Sequence, residues 1–138
     1  MKRREKVESK MDRTELKRIL RELPWDPAEY WLVAGGAMVL YGLREETADV
    51  DLGCTAALAD RLAAEGRPFR LTPEGRRAFS VGGEIEVFEG WYADRITVFD
   101  GVPVVTLRGL LEMKRALGRE KDMRDVERIE AFLASQKE

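Results

Sequence analysis

Leu16, Ile19, Leu20 and Leu23 recur at helical spacing among charged residues, and Pro24 ends the run. The pattern lays one apolar stripe along a helix and predicts an amphipathic helix over Asp12 to Glu22, with Asp12 as its N-cap. Trp25-Asp26-Pro27 reads as a turn, and Tyr30 to Ala34 as a short apolar strand. Gly35-Gly36 interrupts that strand, and Ala37 to Leu43 predicts a helix packed tightly on it. Ala48 to Gly53 is the next strand. Thr55 to Ala64 is the next helix, capped by Thr55, with Leu58, Ala59 and Leu62 facing the core and Gly66 at its end.

The second half changes rhythm. Phe69 to Leu71 reads as a short strand and Thr72 to Gly75 as a turn. Ala78 to Val81 and Glu84 to Phe88 alternate about Gly82-Gly83, which predicts a hairpin. Arg95 to Phe99 and Val102 to Thr106 flank Asp100-Gly101, a stronger hairpin signal. Pro103 has no N–H to give, so the second arm is expected to begin at a sheet edge. Leu107 to Leu117 and Asp122 to Leu133 predict two closing helices separated by Gly118, the second with an apolar stripe of Met123, Val126, Ile129, Ala131, Phe132 and Leu133. The expected class is α/β (α+β), a mixed sheet flanked by helices with two C-terminal helices. At 138 residues the chain suits one domain, placed at 12–134, with a flexible basic N-terminus at 1–11 and a tail at 135–138.

Composition removes several chemistries. There is no histidine, which excludes imidazole bases and His-containing triads or metal sites. The single cysteine, Cys54, excludes an intrachain disulfide and a cysteine-rich zinc site, and reads as a small buried residue. Charged residues make up 36% but nearly cancel, at a net charge of −2, so no global basic excess draws the chain onto nucleic acid. The basic run Lys2, Arg3, Arg4, Lys6 and Lys10 is interleaved with Glu5 and Glu8 and reads as a solvated terminus rather than a phosphate- or RNA-binding arm. The longest apolar-rich run, Trp31 to Leu43, falls short of the roughly 20 residues that a bilayer span needs. A cytoplasmic location is expected.

Carboxylates therefore carry the candidate chemistry. Asp49 and Asp51 lie two apart on a strand, so both side chains project from one face while Val50 and Leu52 enter the core. Two like charges about 7 Å apart repel unless a cation sits between them, and strand positions disfavour aspartate. A surface Asp-Val-Asp with cationic neighbours is one reading of the pair. The other is a Mg²⁺ site, since this ion takes oxygen ligands from one or two carboxylates and from substrate phosphates. Such chemistry calls for a third carboxylate; Glu86, between Ile85 and Val87, is the first choice, Glu84 on its face the second, and Glu89 on the opposite face the least suited. Gly35 and Gly36, between a strand and a helix, suit a turn that lets a phosphate approach the backbone. Neither GxxxxGK nor GxGxxG is present. Trp91 and Tyr92, after Gly90, read as a loop anchor or as a stacking pair for a ring.

The run LVAGGAMVLYGLREETADVDL resembles the minimal nucleotidyltransferases of the polymerase-beta superfamily, with Gly-Gly followed by Asp-x-Asp. Gly42, Arg44, Thr47, Asp49 and Asp51 give it a flavour similar to the bacterial abortive-infection toxin type and to lincosamide nucleotidyltransferases. LLEMKRALGREKDMRDVERIEAFL, with Lys114, Arg119, Lys121, Asp122 and Asp125, resembles the same group. The resemblance implies catalytic and metal-holding roles for Asp49, Asp51 and Glu86, with Glu86 standing where Asp is more usual. It implies nucleotide-binding roles for Gly35, Gly36, Arg44, Thr47 and Lys114. Lys114 is alternatively a solvated helix residue, and Asp122 a cap of the last helix. The implied activity is Mg²⁺-dependent transfer of a nucleoside monophosphate, from ATP or another nucleoside triphosphate, to an acceptor hydroxyl on a small molecule, a protein or an RNA. The alternative is a non-catalytic nucleotide-binding or toxin–antitoxin-type partner protein on the same fold. The short chain leaves room for a homodimer or a protein partner to complete the cleft.

Overall fold

The computed structural model describes residues 10–136. The expected flexible basic segment falls almost wholly outside the described residues. Met11 is buried and exchanges backbone hydrogen bonds with Thr47, at 2.8 and 3.0 Å.

From there the chain runs α1 (Arg13–Arg21), β1 (Tyr30–Val33), α2 (Ala34–Leu40), β2 (Val50–Cys54), α3 (Ala56–Ala64) and β3 (Phe69–Leu71). It continues through β4 (Arg77–Gly82), β5 (Ile85–Glu89), β6 (Ile96–Phe99), β7 (Val102–Val105), α4 (Leu107–Leu117) and α5 (Glu120–Ser135). The strands form one seven-stranded sheet in the order β3-β4-β5-β2-β1-β7-β6. β1 with β7 and β2 with β5 are parallel; every other pair is antiparallel. This is the expected mixed α/β architecture with two C-terminal helices.

Local chemistry accounts for the element ends. Asp12, Thr55 and Thr106 each accept a hydrogen bond from the backbone N–H three residues on, satisfying a donor that the first helical turn leaves free. Gly118 closes α4 in the left-handed region at φ 63°, where a side chain would be strained. The last helix begins before Asp122, with Arg119 as its N-cap; Asp122 is its third residue and accepts from the Arg119 backbone N–H at 3.1 Å, closing a capping box at the helix's positive end.

Paired residues share a face of the sheet. One face carries Tyr30, Leu32, Leu52, Cys54, Phe79 and Val87, all buried. The other carries Trp31, Val33, Asp51, Gly53, Ala78, Ser80, Glu86 and Phe88. β1 is buried at every position, and its four large side chains supply roughly 1.5–3 kcal/mol of burial each. The edge strands β3 and β6 are exposed throughout.

Two expectations are corrected. The strand bearing Pro103 is not at the edge: β6 takes that place, and β7 lies between β6 and β1. A proline is tolerated there because β7 and β1 pair only at Leu32 and Val104. Gly35 and Gly36 do not precede the helix but lie inside α2, and the left-handed residue at the strand-to-helix turn is Ala34, at φ 57°. Close packing, not positive φ, requires the glycines. A Cβ on Gly36 would lie 2.7 Å from Leu32 Cδ1.

Gly53 is more constrained still, because a Cβ there would lie 2.1 Å from Trp31 Nε1. That nitrogen donates to the Trp91 carbonyl at 2.8 Å, tying β1 to the loop after β5. Gly53→Ala is expected to lower stability by about 1–3 kcal/mol through overpacking, with the Trp31 indole N–H signal displaced; thermal denaturation and NMR of the variant check it.

Candidate active site

β2 begins immediately after Asp49, and Asp51 is its second residue. Buried Val50 and Leu52 hold the strand, so Asp51 is aimed at the opposite face. The parallel pairing with β5 places Glu86 directly beside Asp51. Asp49, Asp51, Ser80, Glu84 and Glu86 line an open polar cavity of about 340 Å³ with the turn at Gly83. Two stretches far apart in sequence, 49–51 and the hairpin 80–86, thus meet at one rim. Burial pushes the Asp51 carboxyl up to about 6; the neighbouring charges of Asp49 and Glu86 add to the rise and Lys114 opposes it.

The carboxylates do not close into a cage. Glu86 accepts from Arg70 Nη2 at 2.9 Å, and Arg70 also lies over the Phe88 ring, 5.8 Å from its centroid. Among the described residues, no three His, Cys, Asp or Glu side chains converge closely enough to enclose a metal ion. Asp49 and Asp51 nonetheless offer hard oxygen donors on an open rim, the donor type that Mg²⁺ takes when substrate and water complete its shell. Glu89 is on the other face, as anticipated, and is held by Arg77 at 2.8 Å.

Behind the rim lies a buried ionic network. Lys114 on α4 is only 4% exposed, which excludes the solvated reading. Its Nζ lies 3.0 Å from Asp125 and 3.5 Å from Asp122, both fully buried on α5. Asp125 also receives Arg44 at 2.7 Å and Arg128 at 3.0 Å. Asp122 receives Arg119 Nε at 2.5 Å. Burial raises the Asp122 carboxyl, but the Arg119 hydrogen bonds and the Lys114 charge outweigh it and leave the group below its ordinary value.

The network reaches the glycines through Arg44 and Thr47. A Cβ on Gly35 would meet Thr47 Oγ1 at 2.8 Å and Arg44 Nη1 at 3.0 Å. Thr47 Oγ1 in turn sits 3.4 Å from the Asp49 backbone N–H, which donates to it. Gly35, Arg44, Thr47, Lys114 and the aspartates are therefore assembled around one corner of the fold, whereas Gly36 faces Leu32. Cys54 is buried, its thiol pushed up to about 12 by burial, in keeping with a packing residue.

Sequence reasoning missed Arg70 and Ser80. Arg70 stands opposite Ala78, and Ser80 opposite Glu86, through two successive antiparallel pairings. The shift of register between Ser80 and Gly82 breaks simple counting back from the turn. Alternation alone gave no signal for either residue.

Two outcomes follow. Lys114→Met leaves two buried aspartates short of a cation and is expected to cost about 3 kcal/mol, read by chemical denaturation. Asp51 has a carboxyl raised in the folded state, so its ionisation opposes folding: stability falls as pH rises from about 4 to about 6 and stays reduced above. With chelator present, Asp51→Asn should raise the melting temperature at about pH 8 and leave it nearly unchanged below about pH 4.

No family model matches the chain, and no curated protein matches it. Among solved structures, the chain is similar to a proposed nucleotidyltransferase from Thermotoga maritima, at 18% identity and a TM-score of 0.56. The match covers 91% of this chain and 96% of that one. At that identity the likeness bears on architecture alone: the chain has a nucleotidyltransferase-like fold.

Proposed function

We propose that the protein transfers a nucleoside monophosphate from a nucleoside triphosphate to an acceptor hydroxyl, with Mg²⁺ as cofactor. The observation that carries this reading is the pairing of Asp51 with Glu86 across parallel strands, with Asp49 at the same polar rim. The nucleotidyltransferase-like fold supports it. Asp49 and Asp51 would hold the metal. When bound, Mg²⁺ would polarise the phosphoryl oxygens and offset their charge.

The residues of the chain then divide the work. Glu86 takes the proton of the acceptor hydroxyl as its oxygen forms a bond to the α-phosphorus. The bond to the bridging oxygen breaks, and pyrophosphate leaves with that electron pair. Arg44, Thr47 and Gly35 shape the corner beside Asp49, and Lys114 supplies fixed positive charge behind Asp51.

A second reading is favoured by one observation. Glu86 is engaged by Arg70, and the third carboxylate does not converge with the pair. On that reading the protein binds a nucleotide without catalysis and acts through a protein partner, as in a toxin–antitoxin-type pair.

Calorimetry with ATP, CTP, GTP and UTP, with and without Mg²⁺, separates these outcomes. Asp49→Asn with Asp51→Asn should weaken Mg²⁺-dependent binding by about a hundredfold or more, the loss of charge-assisted contacts worth roughly 1.5–3 kcal/mol each. Glu86→Gln should leave binding nearly intact and slow transfer of α-labelled nucleotide by about a hundredfold. Binding without transfer to any acceptor moves the assignment to the second reading; absence of triphosphate binding overturns both.

A further inference from the structure

A second cavity opens on the sheet face that carries Asp51 and Glu86. It holds about 360 Å³ and is walled by Arg76, Phe88, Trp91, Tyr92, Met113 and Leu117. Phe88 is two residues beyond Glu86 on β5, roughly 7 Å along the strand and on the same face.

Its floor is built from rings held in place. Phe88 and Trp91 have centroids 4.9 Å apart, and Trp91 and Tyr92 are 6.0 Å apart. The Trp91 carbonyl is fixed by the Trp31 indole at 2.8 Å. Tyr92 has a left-handed backbone, φ 57°, a strained state for a residue with a side chain and one that the surrounding contacts must impose.

Arg76 gives the cavity its chemistry. Its Nε is fully buried and, among the described residues, is the one buried side-chain polar atom with no hydrogen-bond partner. Gly90 takes a left-handed backbone, φ 69°, and sets the chain that carries Trp91 and Tyr92 in van der Waals reach of the Arg76 guanidinium. Arg76 lines the cavity, and a guanidinium beside aromatic faces suits a ligand that both stacks and accepts hydrogen bonds. Glu74 lines the same space and can accept from a ring N–H.

We propose that this groove binds a planar ring that presents carbonyl or carboxylate oxygens to Arg76, and that it seats the ring of the acceptor substrate. The role as acceptor subsite rests on the nucleotidyl transfer proposed above; ring binding itself does not. The chemistry is shared by a nucleobase and by an aromatic carboxylate. Glu74 distinguishes a base such as hypoxanthine, whose ring N–H can donate to it, from benzoate, whose ring has no N–H to donate.

The test follows the indole N–H signals of the three tryptophans in the full chain by NMR, with Trp91 assigned through Trp91→Phe. Inosine and sodium benzoate are titrated separately, with sodium acetate as the control without a ring. The expected result is a saturable shift of the Trp91 signal with inosine, benzoate or both, while the Trp25 signal, in a different cavity, stays in place. Inosine alone identifies a nucleobase; benzoate alone identifies an aromatic carboxylate. Arg76→Gln, shown folded by unchanged Trp25 and Trp31 signals, should weaken binding about tenfold or more. Asp49→Asn with Asp51→Asn should leave ring binding as it is. The proposal is overturned if neither probe moves Trp91 at millimolar concentration, or if Arg76→Gln binds as the parent does. Ring binding in a protein that binds no triphosphate would remove the transfer reading and leave the ring site standing; the converse would remove the ring site alone.

Discussion

A lysine withdrawn from water must be met by fixed carboxylates, and the arrangement around Lys114 follows from that requirement. Its ammonium reaches Asp122 and Asp125, which locks α4 against α5. Asp125 extends the lock to Arg44, in the loop that leads to β2. Burial makes each of these charges dependent on the others. The network therefore fixes the C-terminal helix pair and the approach to the aspartate rim as one unit, and Arg44 and Thr47 leave Gly35 no space for a side chain.

The sheet topology does the complementary work. An antiparallel return from β1 to β2 sets Val33 opposite Asp51, and the parallel pairing of β2 with β5 sets Glu86 on its other side. α3, β3 and β4 come between β2 and β5 in the chain, so the carboxylates meet only when that crossover has brought β5 beside β2. Parallel neighbours need such a crossover, and its length lets residues distant in sequence share a rim.

That rim holds more negative charge than the folded chain neutralises. Asp51 is driven upward by burial and by two acidic neighbours, with only Lys114 opposing. The buried acids behind it are matched: Asp125 has three cationic partners, and Asp122 is met by Lys114 and Arg119. A local conflict within an otherwise consistent fold is where function is expected. Arg76 is the opposite case, a buried donor without an acceptor, on the same face of the sheet.

Much of this was legible in the residues themselves. Helical spacing at Leu16 and Leu20, the capping roles of Asp12, Thr55 and Asp122, the turn at Asp100-Gly101 and the facing of Asp51 all depend on neighbours within a few positions. The Glu86 side of β5 followed from alternation alone. Tertiary structure decided the rest, because it turns on packing between segments far apart. Gly35 and Gly36 are excluded from bearing side chains by Thr47, Arg44 and Leu32, not by turn conformation. Pro103 lies inside the sheet because β6 covers it. Lys114 is buried because Asp122 and Asp125 face it across a helix pair, and Arg70 meets Glu86 because two hairpins with a shifted register bring them together. Periodicity reports which face a side chain takes; only the assembled sheet and helices determine what it meets there.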